Sequence, residues 1–178
     1  MIEIKHCETR EVLLRIDEEV LDGYHLDNAK LAGADLSHMQ LLGATFRNAD
    51  LRGANFKNSN LEGAILKSAD LTRCNFTNAN LQNADLTDAY LDNAILTEAD
   101  CSHAILRYTK LTDAECSGTL FLRADMSLSN LTGSNCNDAN LAHADLRMAN
   151  MSASNFNGAN LTGANLLDAK MANIQMAG

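Results

Sequence analysis

The chain has 178 residues, a formal net charge of −9, and neither proline nor tryptophan. No apolar segment is long enough to span a bilayer, and the first residues lack the apolar run of a signal peptide, so we expect a cytoplasmic protein without a membrane partner. The absence of proline is consistent with a β-rich backbone in which nearly every N–H is hydrogen-bonded.

Residues 1–25 are predicted to form an N-terminal cap. Ile2 and Ile4 alternate with charged residues, and a second apolar stretch runs from Val12 to Ile16 after a polar segment. This pattern predicts a β-hairpin. We expect the hairpin to lie over the first coil of the structure formed by residues 26–178, because an uncovered sheet end invites aggregation.

A five-residue period begins at Leu31 and continues without interruption to Met171. All 29 residues at this spacing are apolar, with 18 Leu, five Phe, three Met and three Cys. The residue two positions earlier is Ala in 21 of the 29 units, and all ten glycines fall two positions after an apolar residue of this series or its extension. A fixed short period over such a length is typical of a repeat architecture.

A period of five fits neither an α-helix nor a continuous flat strand, so the chain must turn once per unit. In Ala54-Asn55-Phe56-Lys57-Asn58, the alanine and the phenylalanine are two residues apart and point to the same side of a short extended segment. Gly, Asn and Asp, which are frequent two positions after the large residue, tolerate turn geometry best. We therefore predict an all-β solenoid with an apolar bore.

The units resemble the A(D/N)LXX consensus of the pentapeptide-repeat family, as in Ala49-Asp50-Leu51-Arg52-Gly53, Ala79-Asn80-Leu81-Gln82-Asn83 and Ala164-Asn165-Leu166-Leu167-Asp168. The resemblance covers about five-sixths of the chain. It implies a right-handed quadrilateral β-helix with four units per coil, in which residues 20 apart stack. The 29 units then make about seven coils, and a strand spacing of about 4.8 Å gives a rod roughly 35 Å long.

Four of the five cysteines occupy inward positions: Cys74, Cys101, Cys116 and Cys136. A thiol at such a position is a small apolar filler, and without CxxC spacing these residues predict neither a metal site nor a cofactor. Cys116 and Cys136 would stack one coil apart, near enough for a disulfide. We nevertheless expect two free thiols in a reducing compartment.

The C-terminal segment is the expected dimer interface. It carries Met171, Ile174 and Met176, and Ile174 stands where Ala is the rule. Large, pliable side chains suit an apolar end that must be covered. We expect a second copy to meet this end about a two-fold axis, which gives a homodimer.

The acidic charge is concentrated near the N-terminus. Residues 1–27 carry eight acids and three bases, whereas the other 151 residues carry 15 acids and 11 bases. Some pentapeptide-repeat proteins, those associated with fluoroquinolone resistance, imitate duplex DNA in the DNA-binding groove of a type II topoisomerase such as DNA gyrase. The resemblance therefore implies DNA mimicry as an alternative function, with Asp85, Asp88 and Asp92 as a candidate acidic patch around one corner. The competing interpretation is an acidic girdle that keeps the rod soluble.

Direct nucleic-acid binding and catalysis are not favoured by the sequence. Outward bases such as Arg147 have a carboxylate beside them, here Asp145, and every Phe points inward, which leaves no platform for stacking bases. A smooth rod with a filled bore offers no cleft for catalytic groups, and His103 and His143 are interpreted as surface histidines.

Apolar residues also occupy positions that the pattern assigns to solvent. Tyr108, Leu128 and Met148 are 20 apart and would stack on one corner, with Leu120 and Leu122 facing outward one side away. Contiguous exposed apolar surface usually marks a contact site. Alternatively, these residues form ladders of high β-propensity that stiffen the wall, like the amide ladders that Asn60 with Asn80 and Asn140 with Asn160 can form. We expect a non-enzymatic rod that binds another protein as an interaction or regulatory scaffold.

Overall fold

The computed structural model describes residues 1–177. Its strands are β1 (Ile2–His6), β2 (Val12–Ile16) and the short β3 (Ala34–Asp35). They form one sheet in the order β2-β1-β3, and β1 is antiparallel to both neighbours. Within residues 1–177 there is no helix with the length and apolarity that a membrane span requires.

Strands β1 and β2 form a hairpin that is docked on the first repeats. Ile2 pairs with Ile16, and Ile4, which pairs with Leu14, is fully buried. His6 pairs with Ala34 of β3, and the N–H of Cys7 donates to the carbonyl oxygen of Gly33 at 2.8 Å. The hairpin thus continues the hydrogen bonding of the first coil on one side.

Parallel bridges connect residues 20 apart along the whole repeat region, from His25 with Thr45 to Asn155 with Gln175. Four five-residue units therefore complete one coil. Leu51 and Gly53 donate their N–H groups to Asp70 and Thr72 of the following coil, both at 2.9 Å, and Asn55 donates to Ala34 of the preceding coil at 2.8 Å. Since the same three bonds recur in the other units, each coil is tied to both neighbours.

Each unit ends in a tight turn. The N–H of Ala54, for example, donates to the carbonyl oxygen of Leu51 at 2.8 Å. The residue before each alanine position has a positive φ in every unit from Gly23 to Asn173. This left-handed conformation favours Gly, Asn and Asp, so the predicted turn in every unit is confirmed.

The repeating conformation extends back to Leu21, within the segment 1–25. Gly23 has a φ of 67°, and Leu21 and Leu26 are buried at the spacing of the later units. Tyr24 occupies the position that alanine holds in most other units. The substitution hides this part of the repeat in the sequence.

The bore is filled as the pattern predicts. From Leu31 to Phe156, the large residue of each unit is at most 1% exposed. Phe56 and Phe76, one coil apart, stack with their ring centroids 4.8 Å apart. Burial of one such side chain is worth about 1.5–3 kcal/mol, so the bore is the main source of stability.

The cysteines are free thiols, and the four in the bore are buried. Burial raises the pKa of the Cys74 and Cys101 thiols. A hydrogen bond with Cys136, together with burial, raises the pKa of Cys116. These thiols therefore pack as apolar groups and are poor nucleophiles.

Candidate protein-contact surface

Tyr108, Leu128 and Met148 stack on one edge of the rod, which we name the apolar corner. The three residues lie in consecutive coils at the left-handed position of the turn, with φ values of 59°, 61° and 58°. Tyr108 is 47% exposed and Met148 56% exposed, while Leu128 between them is half-buried. The stacking follows from the bridges between Ile105, Asp125 and Asp145 on the adjoining face.

The backbone conformation of the apolar corner is unfavourable for these side chains. Gly, Asn or Asp occupies 20 of the 31 left-handed turn positions between Gly23 and Asn173. Tyr108, Leu128 and Met148 are the large apolar residues among the other 11. A side chain with a Cβ costs roughly 1–2 kcal/mol in this region of φ and ψ unless it is Asn or Asp. High β-propensity does not explain these three residues, because they are not extended.

A second group of outward apolar residues does occupy extended positions. Leu120, which is 40% exposed, bridges Asp100 and Asn140, while Ile95 and Ile105 occupy equivalent positions on other faces. Branched and large apolar side chains suit such positions, so Leu120 has a structural explanation as part of a ladder. Leu122 in the same unit is half-buried. The flat face at Asp125 separates both residues from the apolar corner.

Leu167, which the five-residue pattern did not single out, extends the apolar corner. Leu167 is 64% exposed and helps to line a shallow groove of about 250 Å³ beside Leu128 and Met148. The other lining residues are Arg107, Ser127, Arg147 and Asp168. The available sequence signal was an apolar residue immediately before a turn residue. That turn residue lies one coil above Met148.

Ion pairs neutralise the cations on one side of the apolar corner. Arg147 contacts Asp145 at 2.5 Å, and Arg107 lies 3.8 Å from Asp125 and 5.6 Å from the centre of the Tyr108 ring. Hydrogen bonding from Arg147 lowers the pKa of Asp145. The expected pairing of outward bases with neighbouring carboxylates is therefore confirmed.

The next face, on the other side of the apolar corner, carries cations without carboxylate partners among residues 1–177. Its bridge positions hold Tyr90, Lys110, Asn130, Asn150 and Lys170 in successive coils. The ammonium group of Lys110 lies 4.4 Å from the centre of the Tyr90 ring, and Lys170 is exposed. Within the described residues, Lys110 and Lys170 are therefore unpaired cations on this side of the corner, and Asp92 of the candidate acidic patch lies on the same face, beside Tyr90.

One of the three carboxylates of the candidate acidic patch forms an ion pair. Asp85 pairs with Lys67 at 2.9 Å and accepts a hydrogen bond from the Thr87 hydroxyl at 2.6 Å. Its pKa is lowered, since these hydrogen bonds outweigh the opposing effect of burial. Asp88 lies at a left-handed turn position, and Asp92 belongs to the next unit.

Sequence reasoning missed the structural role of the Asp or Asn before each large bore residue. In all 18 such residues from Asp35 to Asn165, the side-chain Oδ1 accepts the backbone N–H two residues later. That N–H takes no part in the ladder between coils. The aspartates at this position therefore complete the backbone hydrogen bonding. The two predicted amide ladders form between the predicted residues, at 3.0 Å and 3.3 Å.

The bore opens to solvent at the C-terminal end. Leu161 and Leu166 are half-buried, as is Ile174, whereas Met171 and Met176 are 40% and 50% exposed. Among residues 1–177, the N–H groups of Leu161 and Leu166 have no backbone acceptor, although the equivalent Leu141 donates to Asn160 at 2.8 Å. This end presents apolar side chains within a rim of free backbone groups.

Residues 1–177 contain no cluster of three or more His, Cys, Asp or Glu side chains suited to a metal ion. The family model for pentapeptide repeats (8 copies) matches overlapping segments at 25–63, 40–78, 54–92, 74–113, 109–147 and 134–173. The chain belongs to the pentapeptide-repeat family. Its fold is the right-handed quadrilateral β-helix of that family.

Solved structures of pentapeptide-repeat proteins are similar to this chain. A trypsin-treated form of QnrB1, a plasmid-mediated fluoroquinolone resistance protein, is 21% identical with a TM-score of 0.52, over 90% of this chain and 86% of that chain. HetL, involved in heterocyst differentiation regulation in the cyanobacterium Nostoc sp. strain PCC 7120, is 28% identical with a TM-score of 0.33, over 83% of this chain and 78% of that chain.

Rfr23 from the cyanobacterium Cyanothece 51142 is 26% identical with a TM-score of 0.35, over 68% of this chain and 90% of that chain. The comparison with curated proteins gave no significant match. The likeness to QnrB1 establishes a shared fold.

Proposed function

We propose that the protein is a non-enzymatic interaction scaffold that holds a partner protein against the apolar corner. The scaffold is a rod of about seven coils with the N-terminal hairpin as its cap. The observation that carries the proposal is the stack of Tyr108, Leu128 and Met148 at left-handed turn positions. Strained backbone conformations persist in proteins where function requires them. Binding of a partner that covers these three side chains is such a function.

The energetics support a contact role over a structural one. Each of the three residues makes the turn less favourable than Asn or Gly would, by roughly 1 kcal/mol. Tyr108 and Met148 remain about half exposed, so a large part of their apolar surface is not buried in the free rod. Desolvation of such side chains by a partner yields binding free energy, and aromatic and methionine residues are enriched at interfaces.

Affinity capture from a cell lysate tests this function. The baits are the parent protein, a triple variant with Tyr108→Asn, Leu128→Asn and Met148→Asn, and a control with Leu120→Asn. Asn tolerates the left-handed turn, so the triple variant keeps the fold, which circular dichroism checks. We expect a protein captured by the parent and the control and absent with the triple variant. Identical capture by all three baits would contradict the proposal.

DNA mimicry directed at a type II topoisomerase is the alternative function. Its support is the family and the acidic charge, but the unpaired carboxylates do not form a line. Among the described repeats, those outside ion pairs are Asp22, Glu62, Asp88, Asp92, Glu98, Asp100, Asp113, Glu115, Asp138 and Asp168. No two of them stack in consecutive coils, whereas duplex DNA presents a dense line of phosphates. A DNA gyrase supercoiling assay tests the alternative, and a clear effect that the triple variant retains would favour mimicry.

We also propose that the rod forms a homodimer through its C-terminal end. The exposed Met171 and Met176 and the half-buried Ile174 support this arrangement. Unpaired ladder groups beside them are a template for another strand end. A two-fold axis at this end would cover both open bores and leave the hairpins at the two tips.

A further inference from the structure

We propose that the apolar corner binds an amphipathic α-helix that lies along the rod axis, with acidic residues on the side of Lys110 and Lys170. This inference rests on the proposed function, since it names the partner of the same surface. The spacing of the corner residues and the charges on its two sides carry the argument.

The spacing of the apolar corner matches a helix better than an extended peptide. Tyr108 and Met148 are two coils apart, which at about 4.8 Å per coil is about 9.6 Å. Helical positions i and i+7 lie on the same face and are about 10.5 Å apart along the axis. In an extended peptide, side chains on one face are two residues apart, so three of them in a row span about 13 Å. The mismatch is therefore about 1 Å for the helix and about 3 Å for the strand.

A second copy of the rod matches this spacing but not the charges. If two antiparallel copies meet with Leu128 on the two-fold axis, Arg107 faces Arg147, and Asp88 faces Asp168. In the parallel arrangement, Asp88 and Asp168 each face their own copies. Both symmetric pairings bring like charges together at the ends of the stack, so a different chain is the better occupant.

The two sides of the corner differ in charge, which orients the helix. Arg107 and Arg147 are paired with Asp125 and Asp145. On the other side, Lys110 and Lys170 are exposed and outside ion pairs in the part of the chain described, and the bridge positions between them are Asn130 and Asn150. Because Asp88 and Asp168 lie at the two ends of the stack and Asp92 lies on the lysine face, acidic side chains of the helix are complementary to the rod where they face Lys110 and Lys170.

Fluorescence anisotropy with labelled synthetic peptides tests the inference on the full-length protein. Three peptides share one composition of apolar residues: a helix with apolar positions i, i+3, i+4 and i+7 and an acidic edge, the same helix with a basic edge, and a proline-containing extended sequence with the acidic residues. The protein variants are the triple Asn variant of the apolar corner and a double variant with Lys110→Gln and Lys170→Gln.

We expect the acidic-edge helix to bind the parent at least tenfold more tightly than the other two peptides. The triple variant should lose this binding, and the double variant should weaken it about fivefold, the scale expected of two exposed ion pairs. Equal binding of the two helices, or tighter binding of the extended peptide, would overturn the inference. If no peptide binds while the triple variant still loses its partner in affinity capture, the helix is wrong and the interaction function stands. If the triple variant also captures the same partner as the parent, both the helix inference and the interaction function are wrong.

Discussion

At the scale of single residues, the Asp or Asn before each bore residue serves the fold. Its side-chain oxygen accepts the one backbone N–H of the unit that the ladder leaves free, as Asn75 does for Thr77 at 3.0 Å. Asp and Asn are equivalent acceptors in this role. Much of the acidity of the repeats is therefore a consequence of backbone hydrogen bonding and gives little information about a partner.

Asn75 offers a direct test of this role, because its stacked neighbours Asn55 and Ile95 are uncharged. We expect Asn75→Ala to lower the free energy of unfolding by about 1 kcal/mol, since Thr77 loses the acceptor for its N–H. Asn75→Asp keeps the acceptor and should stay within about 0.5 kcal/mol of the parent. Urea unfolding measures both, and equal stability of the two variants would contradict the role.

The same carboxylates make the rod sensitive to acid. Hydrogen bonds from Arg147, Ser37 and Arg52 lower the pKa values of Asp145, Asp35 and Asp50, respectively. A lowered pKa in the folded state gives stability that is complete above the unfolded value of about 4 and is lost as pH falls through the folded value.

We therefore expect the urea midpoint to be nearly constant between about pH 7 and pH 5 and to fall below about pH 4. Arg147→Gln removes the main cause of the shift at Asp145, so its midpoint should fall less steeply with acid than that of the parent. A midpoint that rises on acidification would contradict this assignment.

At the scale of elements, the hairpin is held against the first coil at Gly33. The N–H of Cys7 donates to the carbonyl oxygen of Gly33, and the His6 ring lies where a Cβ on Gly33 would be. The His6 Nδ1 accepts the N–H groups of Glu8 and Thr9, both at 3.2 Å, which fixes the ring. Glycine is therefore required here for space as well as for its φ of 68°.

Gly53 provides a matched control, because its φ of 66° is similar and nothing lies within 4 Å of its ideal Cβ. Gly53→Ala should cost about 1 kcal/mol through the backbone alone. Gly33→Ala should also displace the hairpin and accelerate hydrogen exchange within Ile2–His6 and Val12–Ile16. Equal exchange in the two variants would show that the contact with His6 does not hold the hairpin.

At the scale of the whole molecule, the sequence predicted the bore and turns but only part of the contact surface. Because the apolar period is strict, inward positions such as Leu86 could be assigned without a structure. The backbone acceptor role of Asn75 could not, since it depends on which N–H the ladder leaves free. Leu167 was missed because it lies one position before the turn residue, and Leu21 because Glu19 and Tyr24 stand where alanine is the rule.

The assembly proposal makes a prediction about mass. Light scattering should give twice the 19.3 kDa of one chain. Ile174→Asp with Met176→Asp should return the protein to a monomer, since two carboxylates would be buried at the joined ends. Leu167→Asp, on the side of the same coil, should leave the dimer intact. A parent that scatters as a monomer at high micromolar concentration would contradict the end-to-end dimer.

We propose that Tyr108, Leu128 and Met148 serve a partner and not the fold. Urea unfolding of the variant with Asn at all three positions is the decisive measurement. Because Asn tolerates the left-handed turn, we expect a free energy of unfolding equal to that of the parent or higher by up to about 3 kcal/mol. A loss of several kcal/mol would contradict the claim, because the three side chains would then be part of the structure that holds the rod together.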